Sequence, residues 1–229
     1  MVSDSEQHAE HPDDNRLGNE AIWAQKRRLA AAMRRVIELL VTTDAPAGEL
    51  RAATERVERF AERLAKLPQR RIVRAASDGP ALSTPEVFYH LSPLVGLSNP
   101  VAPPIRLWTE GSEIRGEMVF GTAYQGPPGY LHGGLVAALF DEALAHVQYT
   151  TGRPGMTGTL KVRYHRPTPL HTTLRLEATV QRVHGRKTFT EARLYAGDVL
   201  TADAEGLFIS LDFEALAENG AGGNPFMAR

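Results

Sequence analysis

The chain has 229 residues, with 26 Lys and Arg against 27 Asp and Glu, and a formal net charge of −1. A balance this close to neutral argues against nucleic acid and acidic membranes as partners. The absence of cysteine excludes disulfides, thiolate metal sites and a cysteine nucleophile. No apolar run reaches the roughly 20 residues of a membrane span, and the polar, acidic first twenty residues do not resemble a signal peptide. We therefore expect a soluble, cytoplasmic protein without a membrane span.

The N-terminal part of the chain is predicted to contain an arm, two helices and a linker. Residues 1–18 are polar and charged, which is typical of a disordered arm. Over residues 19–67, two runs of apolar residues at spacings of three and four flank a turn, which predicts a helical hairpin with stripes that must pack against something. Residues 68–103 are proline-rich and are predicted to be a linker. We expect the hairpin to cover the main domain; a dimerisation arm or a lid is the alternative.

Residues 104–213 have the pattern of one α+β domain. Two short segments that alternate apolar and polar residues come first, a long Ala- and Leu-rich segment over residues 135–149 follows, and four more alternating segments complete the domain. Alternation indicates strands with one buried face, and the long segment indicates a helix. One helix covers only one face of an antiparallel sheet, so we expect a homodimer. Residues 214–229 are rich in Ala, Gly and Asn and are predicted to be a flexible tail.

A loop rich in glycine and proline runs into His132, Gly133 and Gly134, and the predicted helix begins there. The first amides of a helix have no intrahelical partner and carry partial positive charge, which suits a developing oxyanion. Asp141 follows His132 by nine positions, among apolar neighbours where an ionised side chain normally needs a reason. The adjacent Glu142 points about 100° away on a helix and is the alternative acid.

These residues, in this order, resemble the hotdog-fold acyl-CoA thioesterases of the phenylacetyl-CoA-thioesterase-like (PaaI/THEM) branch. The resemblance covers about residues 104–211, and its most specific parts are Gln125 to Gly134, Asp141, Met156-Thr157, and Tyr164 to Leu170. It implies a hotdog fold, in which an antiparallel sheet wraps around one long central helix. It also implies an enzyme, a hydrolase that converts acyl-CoA thioesters to free acid and coenzyme A, assembled as a homodimer or a dimer of dimers (homotetramer).

The resemblance implies roles for particular residues. The Gly133 amide would polarise the thioester carbonyl, Asp141 would act as base or nucleophile across a dimer interface, and Thr157 would help hold the water or the carboxylate. His132 would support or orient the carbonyl. Gln125 would supply an amide that other members place at the position of Gly126. The other residues expected at the substrate are Gly134 and five basic residues, which would hold the phosphates of coenzyme A or else carry ordinary solvated charge: Arg163, His165, Arg166, Arg186 and Lys187.

Other functions stay open on the sequence. A non-catalytic acyl-CoA-binding hotdog module would bind the esters without releasing thiol. An enoyl-CoA hydratase-type hotdog is less favoured, although Asp141 and His146 have the five-residue spacing of such sites. An interaction protein acting through the N-terminal helices is the remaining class. We expect no metal and no cofactor beyond the substrate's own coenzyme A, because the eight histidines show no HExxH spacing and no phosphate-cradling or nucleophile-elbow motif occurs.

Overall fold

The structure is a computed structural model that describes residues 12–69 and 90–210. Within these ranges there are three α-helices and six strands: α1 Pro12–Thr42, α2 Ala47–Ala65, β1 Ile105–Glu110, β2 Glu113–Met118, α3 Gly133–Tyr149, β3 Gly155–Tyr164, β4 Leu174–His184, β5 Lys187–Ala196 and β6 Val199–Ser210. A short 3-10 helix, Thr122–Tyr124, precedes α3. The predicted order of two strands, one long helix and four strands is confirmed.

The six strands form one antiparallel sheet in the order β1-β2-β4-β5-β6-β3. The alternation that predicted the strands appears in their burial: along β4, Leu174 and Leu176 are buried whereas Arg175 is exposed. The predicted turns between the last three strands contain Gly185 and Gly197, whose φ angles of 57° and 58° favour glycine. The edges of the sheet are β1 and β3, so one side of β3 has no neighbouring strand among residues 12–69 and 90–210.

The centre of the domain is α3, which packs against β2, β3, β4, β5 and β6. Its buried apolar residues recur at spacings of three, one, three, one and three, the face expected of an amphipathic helix, and they are Val136, Leu139, Phe140, Ala143, Leu144 and Val147. Each large side chain removed from water in this way contributes about 1.5–3 kcal/mol to stability. An antiparallel sheet around one long helix is the hotdog arrangement, so the predicted fold class is confirmed.

Helix α1 begins at Pro12, earlier than the predicted start at residue 19, and it includes part of the segment expected to be an arm. Proline is favoured at the first position of a helix because no intrahelical partner exists there for its missing N–H. Further along α1, Trp23 is buried and stacks on His90 with ring centroids 4.1 Å apart. Arg34 donates to the carbonyl oxygens of Asn99 at 2.9 Å and Leu97 at 3.2 Å. The described end of the predicted linker therefore packs on α1.

Helix α2 has no buried residue within the described part of the chain. The apolar stripe that predicted this helix is present, but Leu50, Val57 and Leu64 are exposed. Both predicted N-terminal helices thus exist, and the described residues supply no cover for the second. The predictions for residues 1–11 of the arm, 70–89 of the linker and 214–229 of the tail lie outside the described residues.

Candidate active site

The loop before α3 is closed by its own hydrogen bonds. The Gly126 amide donates to the Tyr130 carbonyl at 2.9 Å, and the His132 amide donates to the Tyr124 carbonyl at 3.0 Å. The Gln125 side-chain oxygen, expected at the substrate, accepts from the Gly129 amide at 2.9 Å. Gly126 cannot carry a larger side chain, because a Cβ there would lie 2.9 Å from His132 Cα. Gln125 therefore braces the loop, and the two limbs of the loop meet at Gly126.

His132 caps the N-terminus of α3. Its backbone is extended, with φ −62° and ψ 129°, and its Nδ1 accepts a hydrogen bond from the Gly134 amide at 3.0 Å. A neutral His132 therefore carries its proton on Nε2, on an exposed ring. The amide of Gly134, a residue predicted at the substrate, is occupied by this cap. The imidazole is thus both a capping group and a possible donor through Nε2.

The amide of Gly133 differs from the three that follow it. The amide of Gly134 is bound by the His132 ring, and those of Leu135 and Val136 donate to the His132 carbonyl at 2.9 and 3.3 Å. Within the described part of the chain, the Gly133 amide has no acceptor. An unsatisfied N–H at a helix start carries partial positive charge and points out of the helix, so it can bind an anionic or carbonyl oxygen.

The carbonyl of Gly133 is also held in place. It accepts a hydrogen bond from the Tyr164 hydroxyl at 2.9 Å, which ties the start of α3 to the end of β3. Tyr164 was not predicted as a functional residue. The only signal was its place in the Tyr164 to Leu170 segment that contributes to the resemblance.

The structure brings together two of the predicted catalytic residues, Asp141 and Thr157. The Thr157 hydroxyl donates to Asp141 Oδ1 at 2.9 Å in a partly buried setting. The pairing between β3 and β6 shifts register between Thr157 and Thr159, and such irregularities re-aim side chains near functional sites. Oδ1 of Asp141 is thus occupied, and the carboxylate has a defined orientation.

Glu142 has a different environment from Asp141. Its side chain is 14% exposed, and its Oε1 is buried without a hydrogen-bond partner among the described residues. Burial, and then the charge of Asp141, raise the pKa of Glu142 to about 7. His146 Nδ1 lies 3.6 Å from that oxygen and 2.8 Å from the Glu142 carbonyl oxygen, and burial lowers the pKa of His146. The two adjacent acids therefore differ: Thr157 orients Asp141, while Glu142 is largely enclosed by protein.

The five basic residues form two groups within one chain. Arg163 and His165 both bind Asp203 of β6, and Arg163 also binds Glu205. The Arg166 amide donates to Thr201 near the same end of β6. Arg186 Nε donates to the Ser210 carbonyl at 3.2 Å, and Lys187 pairs with Ile209 at the other end of β6. Asp203 and Ser210 are seven residues apart, roughly 23 Å along a strand. One chain alone does not assemble these residues into a single phosphate site.

Within residues 12–69 and 90–210, no three His, Asp or Glu side chains come together in a way that could hold a metal ion. No helix in those ranges is long and apolar enough to cross a membrane. Two concave regions lie along α2 and on the outer surface of β2, β4 and β5, away from Gly133 and Asp141.

Comparison with known proteins identifies the family. Residues 128–202 match the profile of the thioesterase superfamily. The crystal structure of a thioesterase superfamily protein is similar with a TM-score of 0.71 and 32% identity, over 80% of this chain and 94% of that one. This chain therefore belongs to the thioesterase superfamily, and the resemblance noted in the sequence is confirmed. The matched region covers 80% of this chain, which is more than the sheet domain of residues 105–210 makes up. The structural similarity therefore includes residues N-terminal to that domain.

Curated relatives are also similar over the thioesterase domain. The chain is 38% identical over 96 residues to acyl-coenzyme A thioesterase THEM4 of Bos taurus, which covers 41% of this chain and 39% of that protein. It is 36% identical over 94 residues to acyl-coenzyme A thioesterase THEM4 of Xenopus laevis, covering 40% and 42%. The chain thus matches about two-fifths of the length of these relatives.

Proposed function

We propose that this protein hydrolyses acyl-CoA thioesters to free acid and coenzyme A. The observation that carries the proposal is the pair of half-sites around α3. A Gly133 amide without an acceptor among the described residues lies at its start, and an Asp141 carboxylate oriented by Thr157 lies further along. Thioester hydrolysis needs a donor for the carbonyl oxygen and a group that activates water or attacks the acyl carbon. The similarity to proteins named acyl-coenzyme A thioesterase supports the same substrate class.

The chemistry follows from these groups. The acyl carbonyl oxygen accepts a hydrogen bond from the Gly133 amide, and the bond strengthens as negative charge develops on that oxygen in the tetrahedral intermediate. His132 Nε2 is a second donor beside the same oxygen. Thr157 occupies Oδ1 of Asp141, so we assign Oδ2 to the reaction. Asp141 either takes a proton from water or attacks directly to form an anhydride that water then opens. In both routes the acyl group gains hydroxide, and the thiolate of coenzyme A leaves and is protonated.

The complete site needs two copies of the chain. Gly133 and Asp141 are eight residues apart on one helix, a separation of roughly 12 Å at 1.5 Å per residue. One thioester carbonyl cannot contact both groups at that distance. We therefore assign the Gly133 amide of one copy and the Asp141 carboxylate of another to each site, which gives a homodimer two sites.

The exposed edge of β3 supports this assembly. Met156 and Tyr164 on β3 are 45% and 55% exposed, and an edge strand presents unpaired backbone groups to a further strand. Thr157, beside Asp141, and Tyr164, beside Gly133, mark the two half-sites on this strand. If β3 pairs antiparallel with its copy around an axis between Leu160 and Lys161, Thr157 of one copy lies opposite Tyr164 of the other.

The same pairing would unite the basic residues. Arg163 and His165 lie at the end of β3 that carries Tyr164, whereas Arg186 lies beside the end that carries Thr157. An antiparallel pair of β3 strands places opposite ends next to each other, so basic residues of both copies would flank one site. Guanidinium and imidazolium groups suit the phosphates of coenzyme A. Association of two dimers remains a prediction.

The test is steady-state turnover of a panel of acyl-CoA thioesters, with Asp141→Asn and the adjacent Glu142→Gln as a matched pair. We expect Asp141→Asn to lower kcat by about 10²–10⁴-fold, the usual contribution of a general acid or base. Glu142→Gln should keep most of the activity, because Glu142 is enclosed by protein. Binding of a non-hydrolysable acyl-CoA thioether should survive in both variants.

Four outcomes would contradict the proposal or its assignment of residues. Retained turnover in Asp141→Asn would remove its assigned role, and a collapse limited to Glu142→Gln would transfer that role. Saturable binding by the wild-type protein without thiol release would indicate a non-catalytic acyl-CoA-binding module. Addition of water to an enoyl-CoA in the same panel would indicate a hydratase.

A further inference from the structure

Helix α1 contacts the 3-10 helix that precedes the site, and Glu38 makes hydrogen bonds there. Its Oε1 accepts from the Thr122 amide at 2.6 Å and its Oε2 accepts from the Ala123 amide at 2.9 Å. These amides begin the 3-10 helix Thr122–Tyr124, and the residue before that helix, Gly121, has no side chain with which to cap it. Hydrogen bonds to a carboxylate are roughly twice as strong as neutral ones. Glu38 therefore supplies the missing cap from a helix 84 residues away in sequence.

The local structure accommodates this carboxylate. A Cβ on Gly121 would lie 2.6 Å from both Glu38 carboxylate oxygens, so only glycine leaves them room. Burial acts to raise the pKa of Glu38, but the hydrogen bonds from Ala123 and Thr122 outweigh it and the pKa is lowered. Thr122 is held from the other side as well, because its hydroxyl lies 3.0 Å from His171 Nε2.

The capped 3-10 helix leads directly to the catalytic turn. The carbonyl oxygen of its last residue, Tyr124, accepts a hydrogen bond from the His132 amide at 3.0 Å. The Tyr124 ring packs edge-on against the buried Phe120, with centroids 5.4 Å apart. His132 in turn caps α3 beside the Gly133 amide. Glu38 is thus connected to His132, the residue before the proposed oxyanion donor, by hydrogen bonds at both ends of the 3-10 helix.

We propose that Glu38 is a positioning residue, through which the N-terminal helix α1 sets the place of the His132–Gly133 turn. The inference rests on the proposed function for its effect on turnover, but the contact itself can be tested without activity. Helix α1 is suited to this role because Trp23 and Arg34 fix it to residues 90–99. The N-terminal helix then acts on the site as well as covering the domain.

The test compares Glu38→Gln with Gly121→Ala, which displaces the same carboxylate from the loop side. Glu58→Gln, an exposed acid on α2, is the matched control. We expect kcat to fall about 10–100-fold in each test variant, because small displacements of catalytic groups have effects of this size. KM should stay within about twofold, since the Gly133 contact strengthens in the transition state. The double variant should be no worse than either single one, because both changes break one contact.

Hydrogen–deuterium exchange over residues 122–134 gives a readout that does not depend on activity. We expect faster exchange there in Glu38→Gln than in Glu58→Gln, at a temperature where both are folded. A lower Tm with unchanged kcat and unchanged exchange would indicate a merely structural contact and overturn the inference. If the wild-type protein hydrolyses no thioester, the proposed function fails, and the exchange comparison still decides whether Glu38 orders the turn. If Glu38→Gln does not fold, the exchange comparison is made with Gly121→Ala.

Discussion

Replacing Gly133 with proline removes one amide hydrogen from the site and disturbs little else. Gly133 is the first residue of α3, where proline is favoured and no intrahelical bond is lost. The residue before a proline must be extended, and His132 already is, with φ −62° and ψ 129°. A Cβ at Gly133 would meet nothing nearer than Tyr164 Cε1 at 3.6 Å, an ordinary contact. The variant therefore isolates the proposed oxyanion donor.

We expect Gly133→Pro to lose much of its turnover and none of its stability. Removing one preorganised oxyanion donor lowers kcat by about 10²–10³-fold, or about 2.7–4 kcal/mol of barrier. Proline in a compatible backbone restricts the unfolded chain and stabilises the fold by about 0.4–1 kcal/mol. We thus expect Gly133→Pro to lose kcat while its Tm stays constant or rises slightly. A folding defect would produce the opposite pattern.

The assay is release of free coenzyme A thiol at saturating acyl-CoA, together with thermal unfolding of each variant. Gly133→Ala is the matched control, since it adds a Cβ and keeps the amide, and its kcat should stay close to that of the wild-type protein. Turnover in Gly133→Pro within about threefold of the wild-type value would refute the assigned donor, given the loss expected above. An equal loss in Gly133→Ala would show that space at this position matters, and not the amide.

Two further predictions follow from the same geometry. Equal amounts of Gly133→Pro and Asp141→Asn, mixed under conditions that exchange subunits, should recover about a quarter of the wild-type activity. The reason is that half the dimers are mixed and each mixed dimer has one intact site. No recovery would place both groups in one chain. Burial and the charge of Asp141 raise the pKa of Glu142 from 4.5 to about 7, so the folded state binds this proton more tightly and stability falls as pH rises between those values. Glu142→Gln should therefore raise Tm more at pH 8 than at pH 5, and an equal change at both pH values would contradict this reasoning.

The strands and the central helix were predictable because they depend on neighbours in sequence. Alternation along 174–183 and the glycines at 185 and 197 predicted β4 and the two turns, and the observed ends differ by a residue or two. The start of α3 was predicted at residue 135 and lies at Gly133. Glycine has a low helix propensity, so the two glycines did not signal helix, and the His132 cap compensates for them.

Parts of the candidate site could not be predicted from local pattern. Gln125 and Gly134 were expected to face substrate, and the structure shows both bonded within the loop and its cap, because a compact turn satisfies its own polar groups first. The basic residues of β3 lie beside Asp203 and Glu205 only because of the register between β3 and β6. The contact between Glu38 and the 3-10 helix joins distant segments and had no signal in the sequence.

The sequence by itself determined which segments are helix and strand, that a glycine pair lies at or beside the start of the central helix, and that an acid follows within it. Those features depend on periodicity, propensity and spacing over a few residues. Only the tertiary structure decided which amide at the start of α3 has no acceptor in the described part of the chain, which of two adjacent acids is oriented by a hydroxyl, and which element caps the loop. The reason is that hydrogen bonds across 16 or 84 residues form only when strand register and helix packing bring the partners together.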